Sequence, residues 1–274
     1  MNRLSQQLNK LWYHSQRKPL VLKWASRFYG LGQKLDRYLK QKRAPHSNPL
    51  PVIVIGNLSV GGTGKTPLII ALYEKLSQQG YRIGIITRGY KNCLSHFPHL
   101  VSPDDTAAMI GDEAALLYQK TKAPIVIAAN RLQALHFLAA QKSCDIVLSD
   151  DGLQHYTMPR VLEIAVVDGE RGFGNQELLP LGPLREPLSR LDSIDLIMVN
   201  GQPSPEFMRF IQPYANKLFY MHMQAQTLYP LQPGTELTPP FAAFAGIGNP
   251  ERFFQTLKGL NYTFTPYIFN DHYQ

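Results

Sequence analysis

The stretch S-V-G-G-T-G-K-T at residues 59–66 follows the apolar run P-V-I-V-I-G at residues 51–56. A buried strand, a glycine-rich turn and a Lys-Thr pair in this order are typical of a loop that binds nucleotide phosphates. Gly61, Gly62 and Gly64 allow backbone conformations in which successive N–H groups point at phosphate oxygens. The sequence therefore predicts a site for ATP or GTP.

The Lys-Thr pair at the end of this loop predicts two specific contacts. Lys65 would reach the β- and γ-phosphates, and the Thr66 hydroxyl would ligate the Mg²⁺ ion that bridges them. Position 59 is Ser where glycine is usual, which changes a turn but removes no phosphate-binding group. The alternative is a glycine-rich turn without a ligand. The predicted nucleotide-binding residues are Ser59, Val60, Gly61, Gly62, Thr63, Gly64, Lys65, Thr66 and Pro67.

The composition is that of an ordinary globular protein, with 44% hydrophobic and 18% charged residues among 274. No apolar stretch reaches the roughly 18 to 20 residues that span a bilayer, and the basic N-terminus lacks the apolar segment of a signal peptide. We therefore expect a chain that is neither exported nor membrane-spanning. Cys93 and Cys144 lie in no metal-ligand spacing, which suits a reducing cytosol and gives no indication of structural zinc.

The positive charge is concentrated in the first 43 residues. This segment holds eleven Lys or Arg and one acid, Asp36, whereas the rest of the chain holds seventeen bases and nineteen acids. Apolar residues recur in it at spacings of three and four on both sides of Pro19, which predicts two amphipathic helices. Residues 1–43 are thus expected to form a basic arm whose aromatic side chains lie at the acyl boundary of an anionic membrane surface.

Two alternatives stay open for this arm. Most amphipathic helices pack their apolar face on the protein core and leave the basic face in solvent. The sequence favours neither this packing nor membrane docking over the other. Nucleic acid is a third possible partner. Because no recognisable nucleic-acid-binding motif accompanies the Lys and Arg residues, no such partner is expected.

Beyond a linker at residues 44–51, short Val- and Ile-rich segments alternate with helical patterns. This order predicts a mostly parallel sheet with helices on both faces and ligands at the carboxyl ends of the strands. After Gly201 the chain becomes rich in proline and aromatic residues. We therefore predict three domains: a basic arm at 1–43, a P-loop NTPase-like α/β core at 44–201, and a linker with a smaller α/β domain at 202–274. The predicted strands are 52–55, 82–87, 125–129, 145–149, 163–167 and 196–199, and the predicted helices are 66–79, 112–120 and 130–141.

Paired acids follow the fourth of these strands. Asp150 and Asp151 would emerge at the same sheet edge as Lys65, where a phosphate-loop enzyme places its second metal-holding carboxylate. Adjacent carboxylates repel each other and are best tolerated beside a cation, although an acidic surface turn is the alternative. Gln154 and His155 lie on the turn that follows. Two further acidic motifs, G-D-E at 111–113 and D-H at 271–272, are weak alone, because acids also cap helix N-termini.

Seven motifs in order resemble the tetraacyldisaccharide 4'-kinase family, which phosphorylates a lipid A precursor at the inner face of the Gram-negative inner membrane with MgATP. The resemblance covers nearly the whole chain. The motifs are V-I-G-N-L-S-V-G-G-T-G-K-T-P at 54–67, T-R-G-Y at 87–90, G-D-E at 111–113, D-D-G-L-Q-H at 150–155, L-L-P-L-G-P-L-R-E-P at 178–187, A-G-I-G-N-P-E-R-F-F at 245–254 and D-H at 271–272.

The resemblance implies roles for individual residues. Asp112 would be the general base on the sugar hydroxyl, and His272 would orient or tune it. Asp150 and Asp151 would hold Mg²⁺ or support that base, with Glu186 helping to hold the metal. The arm would dock on the cytoplasmic face of the inner membrane as a peripheral element and receive acyl chains, and the product would be lipid IVA.

Further candidates contact substrate or stabilise charge on the transferring phosphoryl group: Arg88, Glu113, Gln154, His155 and Arg171. For Arg88 and Arg171 a surface ion pair is an equally good interpretation. Family members continue well past the D-H motif, so we expect an incomplete C-terminal domain. No protein partner is implied.

Two other function classes compete with a lipid kinase. One is a nucleotide-switch ATPase or GTPase bound peripherally to a membrane. The chain reads V-N-G-Q at 199–202, where a guanine-reading motif would follow a strand, so GTP is disfavoured. Val60 in place of a second lysine argues against a dimeric switch ATPase. The other is a scaffold with a vestigial loop, which the intact residues Lys65, Thr66, Asp150 and Asp151 disfavour.

Overall fold

Eight strands form one large sheet that places the phosphate loop near its centre. The computed structural model describes residues 3–13, 18–225, 238–247 and 250–269. The strands are β1 (Val52–Gly56), β2 (Ile83–Thr87), β3 (His99–Leu100), β4 (Ile125–Ile127), β5 (Ile146–Asp150), β6 (Leu162–Asp168), β7 (Leu196–Asn200) and β8 (Leu218–Met221). Their spatial order is β3-β4-β2-β5-β1-β6-β7-β8, and every neighbouring pair is parallel except β3 with β4. The predicted mostly parallel sheet is confirmed.

Helices cover both faces of the sheet because its central strands are apolar on both sides. Val52 and Val54 of β1 pack in one buried cluster with the helix Arg131–Gln141, and Ile55 packs in a second cluster with the helices Lys65–Gln78 and Asp112–Thr121. Such double burial is what continuous Val and Ile runs in parallel strands require. The helices are α1 (Arg3–Tyr13), α2 (Leu20–Lys42), α3 (Lys65–Gln78), α4 (Ala107–Ile110), α5 (Asp112–Thr121), α6 (Arg131–Gln141) and α7 (Pro205–Ile211), with 3-10 turns at Leu188–Ser193 and Gln212–Lys217.

The sheet is wider than the sequence pattern predicts. β3 and β8 were not among the predicted strands, and β8 pairs with β7 beyond the predicted domain boundary at residue 201. The boundary itself stays a prediction, but the large sheet continues to Met221. At β5 the strand ends one residue later than predicted, so Asp150 is its last residue.

A second, two-stranded sheet follows in the described C-terminal residues. β9 (Phe241–Ala245) and β10 (Phe264–Ile268) are parallel, and α8 (Pro250–Gly259) connects them. Ala243, Ala245, Phe254 and Leu257 form its buried apolar cluster.

The long helix α2 packs on the core through small and polar residues. Ser26 and Gly30 are its buried residues, and the Ser26 hydroxyl donates a 2.9 Å hydrogen bond to the Leu178 carbonyl. Its large apolar side chains, including Phe28 and Leu31, are exposed. A helix that packs its apolar face on the core would bury those side chains. In α2 the apolar face is turned to the surface and the small residues face the core. None of the helices in the described ranges combines the length and the hydropathy that crossing a bilayer needs.

Candidate active site

The glycine-rich loop after β1 has the backbone that phosphate binding needs. Gly61 and Gly64 have φ angles of 109° and 97°, a region that L side chains rarely adopt. A Cβ added at Gly61 or Gly62 would meet no atom within 4 Å, so the space beside the loop is open. α3 begins at Lys65, which directs the N–H groups of its first turn toward the same space.

Three hydrogen bonds between the loop and residues outside it hold it in this shape. The Asn57 side chain donates to the Gly61 carbonyl at 3.1 Å, and the Asn200 side chain donates to the Thr63 carbonyl at 2.9 Å. The Val60 N–H donates to the Pro183 carbonyl at 2.9 Å.

Neither asparagine is among the site residues predicted from the sequence. Their signal was position, since Asn57 directly follows β1 and Asn200 ends β7, both at the carboxyl edge of the sheet.

Lys65 lies beside an acid and a second cation at this edge. Its Nζ is 3.7 Å from Asp151 Oδ1, and Arg185 Nη1 donates to Asp151 Oδ2 at 2.8 Å and to Oδ1 at 3.1 Å. Burial alone would raise the pKa of Asp151, but the positive charges of Lys65 and Arg185 outweigh it and hold that pKa below its usual value. Asp151 is therefore an anion that orients two cations around the open phosphate space. Arg185 was missed from sequence, although it neighbours Glu186 in the same motif.

Asp150 is buried at the end of β5. The Thr87 hydroxyl donates to its Oδ2 at 3.0 Å, whereas its buried Oδ1 has no hydrogen-bond partner in the described part of the protein. Burial raises the pKa of Asp150, despite the charge of Lys65. The fully buried Arg131, also missed from sequence, donates to the Asp150 carbonyl at 3.0 Å and fixes the end of β5. A cation at Oδ1 would satisfy the unpaired oxygen and stabilise its charge.

These residues fit Mg²⁺ in the manner of phosphate-loop enzymes. Thr66 is the second residue of α3, and Asp150 ends the strand beside β1. The described residues contain no group of three or more His, Cys, Asp or Glu side chains arranged for a metal. Mg²⁺ with nucleotides needs fewer protein ligands, because phosphates and water fill most of its octahedron.

Glu186 belongs to a buried polar network next to Arg185. Its Oε2 accepts a 2.6 Å hydrogen bond from the Tyr156 hydroxyl and lies 3.3 Å from Arg190 Nε, while its Oε1 has no described hydrogen-bond partner. Burial raises the pKa of Glu186. Arg190 also pairs with Glu163, which neutralises this cluster of acids. A metal-holding role for Glu186 stays a prediction.

Asp112 opens α5 at a point where two of the quoted motifs touch. The preceding Gly111 has a φ of 85°, and an added Cβ there would lie 2.3 Å from the Tyr90 carbonyl oxygen. The G-D-E and T-R-G-Y segments are therefore in close contact. Thr87, which begins the second motif, is the residue that hydrogen-bonds Asp150.

The remaining predicted site residues lie in different surroundings. Asp112 and Arg88 are exposed, and Glu113 is half-buried. His272, with Asp271, lies outside the described residues. Arg171 lies in a cleft of α1 and α7, with its guanidinium 5.5 Å from the Tyr13 ring centroid, and the described lining of that cleft includes no residue of 59–67.

Gln154 and His155 are both half-buried, and their predicted contacts to substrate stay predictions. Gln154 Nε2 donates to the Asn57 carbonyl at 3.2 Å, which joins the acidic motif to the phosphate loop. Burial and the nearby Arg131 charge lower the pKa of His155 to about 4, so this imidazole is neutral at physiological pH.

Comparison with known proteins places this geometry in one family. The family model described as "Tetraacyldisaccharide-1-P 4'-kinase" matches residues 19–274. A curated tetraacyldisaccharide 4'-kinase of Nitrosococcus oceani is 44% identical over 276 residues, which cover 100% of this chain and 80% of that protein. One from Legionella pneumophila is 40% identical and covers 97% of this chain and 81% of its own length. The crystal structure of "apo" form LpxK from Aquifex aeolicus in complex with ATP matches with a TM-score of 0.68 at 26% identity, over 90% of this chain and 80% of that one.

Proposed function

The chain belongs to the tetraacyldisaccharide 4'-kinase family, and we propose that the cluster around Lys65, Asp151 and Arg185 is its phosphoryl-transfer site. The protein transfers the γ-phosphate of ATP to the 4'-hydroxyl of tetraacyldisaccharide 1-phosphate and forms lipid IVA, with MgATP as the phosphate donor. The family favours this kinase over a nucleotide switch. One observation supports the site most strongly: Lys65 and Arg185 both pair with the Asp151 carboxylate. This cluster lies beside the open loop in which Gly61 and Gly64 have positive φ angles.

The residues of this cluster suit the charge changes of the reaction. The acceptor oxygen forms a bond to the γ-phosphorus, the bond from that phosphorus to the bridging oxygen breaks, and ADP carries away the electron pair. Lys65 and Arg185 stabilise the negative charge that spreads over the phosphoryl oxygens. Thr66, with Asp150 or Asp151, would hold Mg²⁺, and Glu186 would help to hold it. When bound, the ion supplies neutralisation of the phosphate charge.

In this proposal Asp112 removes the proton of the sugar hydroxyl. That hydroxyl has a pKa far above neutrality, so the proton must leave as the new bond to phosphorus forms. Asp112 is an exposed residue at the start of α5. Its segment also contacts the motif that reaches Asp150 through Thr87. His272 would orient this base, and Arg88 remains a candidate contact to phosphate.

We also propose that α2 docks the enzyme on the cytoplasmic face of the inner membrane. Its exposed apolar side chains share a helix with a concentration of Lys and Arg, which suits an acyl boundary beneath anionic headgroups. A substrate with four acyl chains lies in the membrane, so the kinase must reach that surface. Sedimentation with anionic vesicles tests this part, because failure to bind them would contradict it.

The site is tested by phosphate transfer from labelled MgATP to tetraacyldisaccharide 1-phosphate in mixed micelles. Lys65→Ala should lower turnover at least about 100-fold, as loss of a transition-state charge contact does. Asp112→Asn should lower turnover while ATP binding persists. Lys75→Ala on the same helix and Asp104→Asn on an exposed loop are matched controls. Near wild-type turnover in Lys65→Ala would overturn the assigned site.

A further inference from the structure

The docking helix α2 contacts residues 184–187, which we call the catalytic segment, and the nearby Tyr156 through two polar side chains. The Tyr29 hydroxyl donates a 3.0 Å hydrogen bond to the Arg185 carbonyl. Two turns further along the helix, the Arg37 guanidinium lies 5.0 Å from the centroid of the Tyr156 ring. Both contacts bridge more than a hundred residues of sequence, so they are features of the tertiary structure.

Each contact leads directly to a group of the proposed site. Arg185, whose carbonyl accepts from Tyr29, holds Asp151 at 2.8 Å with its side chain. Tyr156, whose ring lies under Arg37, donates its hydroxyl to Glu186 at 2.6 Å. Helix α2 therefore contacts two consecutive residues of the L-R-E-P motif. It bonds the backbone of Arg185 directly, and it reaches Glu186 through Tyr156, the hydrogen-bond donor of that carboxylate.

We propose that Tyr29 and Arg37 are positioning residues for phosphoryl transfer, which set the placement of Arg185 and Glu186 from the membrane-docking helix. The inference rests on the proposed site. Transition-state contacts lose much of their value when a group moves by about 1 Å, because charge stabilisation depends on a prearranged geometry. A hydrogen bond to the backbone of Arg185 restrains the base from which its long side chain reaches Asp151.

The helix and Lys18, shortly before it, also attach to the core through contacts that do not involve Tyr29 or Arg37. Ser26 bonds the Leu178 carbonyl, Gly30 packs against the Leu178 side chain, and Lys18 pairs with Glu177 at 2.7 Å. Partial burial raises the pKa of Tyr29, so its hydroxyl stays a donor throughout the physiological range. Loss of that hydroxyl should therefore loosen the catalytic segment and leave the helix in place.

The two roles of α2 lie on adjacent residues. Phe28 and Leu31 point to solvent, while Tyr29 between them reaches Arg185. A helix that lies on the bilayer and also holds the catalytic segment fixes the height of the phosphate site above the lipid. The acceptor hydroxyl, carried by a lipid headgroup, then meets the γ-phosphate at a defined depth.

The first test separates positioning from folding and binding. Tyr29→Phe and Arg37→Gln are compared with Tyr81→Phe and Arg209→Gln, which change exposed residues elsewhere. We expect kcat to fall about three- to tenfold in the first pair, as the loss of a single hydrogen bond or cation–π contact would give. The KM for ATP and the thermal midpoint should match the controls, and vesicle binding should match them in Tyr29→Phe, which removes no charge from the arm. Arg160 and Arg190 also lie 5.5 Å from the centroid of this ring, and Arg37→Lys, which keeps the third cation beside them, should restore most of the loss.

The second test asks whether Tyr29 acts through Arg185. Tyr29→Phe is introduced into an Arg185→Ala background, and single-turnover rates are measured with excess enzyme. If Tyr29 works by placing the Arg185 side chain, the second substitution should cost less than it does in the wild type. Fully multiplicative losses would overturn the inference, as would a wild-type kcat in both Tyr29→Phe and Arg37→Gln.

The design also separates this inference from the proposed site. If Lys65→Ala and Arg185→Ala both keep wild-type turnover, the assigned site is wrong and the inference falls with it. If both lose turnover while the α2 variants keep theirs, the site holds and only the positioning role is wrong.

Discussion

Replacing two exposed apolar residues of α2 should release the enzyme from membranes without destabilising it. Phe28 and Leu31 are 70% and 64% exposed, and they follow each other on one face of the helix. Fully burying a Phe or Leu side chain is worth about 1.5–3 kcal/mol. With about two thirds of each side chain available to lipid, the pair should contribute about 2–4 kcal/mol to partitioning.

In vesicle sedimentation the double variant Phe28→Ser/Leu31→Ser should bind about 30- to 700-fold more weakly, since about 1.4 kcal/mol corresponds to a factor of ten. The vesicles should contain anionic lipid at fixed ionic strength, because the basic residues of the arm add a salt-dependent attraction. Unfolding should change by no more than about 0.5 kcal/mol, as is usual for exposed positions. Val161→Ser is the matched control, because Val161 is 66% exposed but lies outside the arm.

Two results would refute this reasoning. Unchanged vesicle binding would mean that the apolar face does not enter the membrane and that charge alone holds the arm there. A loss of several degrees in the melting midpoint would mean that the face is packed against protein in solution. The first result would contradict insertion of Phe28 and Leu31 into lipid, and the second would contradict their outward orientation.

Three further predictions concern the phosphate loop and its surroundings. Gly64→Ala should weaken ATP binding and cost about 1–3 kcal/mol in urea unfolding, because its φ is 97° and the new Cβ would lie 2.3 Å from Asn200 Nδ2. Because the pKa of His155 is lowered to about 4, the unfolded chain takes up its proton at a higher pH than the folded chain. The free energy of unfolding should therefore fall as the pH drops from about 6.5 to 4, and less steeply in His155→Gln. Arg190→Met should cost about 3–5 kcal/mol in unfolding titrations, because it removes the cation paired with buried Glu186 and leaves buried Glu163 with Arg160 alone.

The local parts of this fold could be predicted from sequence. The strand before the loop, the glycines and the Lys-Thr pair are contiguous, so their physical meaning is complete within about fifteen residues. The buried strands of the sheet centre were found for the same reason, since Val and Ile runs between helical patterns need no distant partner to be recognised. β3 consists of only two residues, and β8, L-F-Y-M, follows a proline-rich stretch without a flanking helical pattern of clear periodicity.

The missed residues depend on contacts across the sheet. Arg185 meets Asp151 across 34 positions, and Asn200 meets Thr63 across 137. Nothing adjacent to an arginine or an asparagine in the sequence specifies such a partner. Arg131 is the extreme case: it is charged, opens a helix and would be read as exposed, yet it is buried because two carbonyls, of Ala128 and Asp150, accept its hydrogen bonds.

The orientation of α2 could not be decided from its periodicity. An apolar stripe with a repeat of three and four residues looks the same whether it faces a protein core or a lipid surface. The two cases differ in the helix face opposite the apolar stripe, which must suit either solvent or the protein core. Ser26 and Gly30, four residues apart, allow close approach to Leu178 and supply a hydrogen bond, so the core takes the small face of the helix. Because Tyr29 lies beside this face, the contact that turns the apolar stripe outward also brings α2 to Arg185.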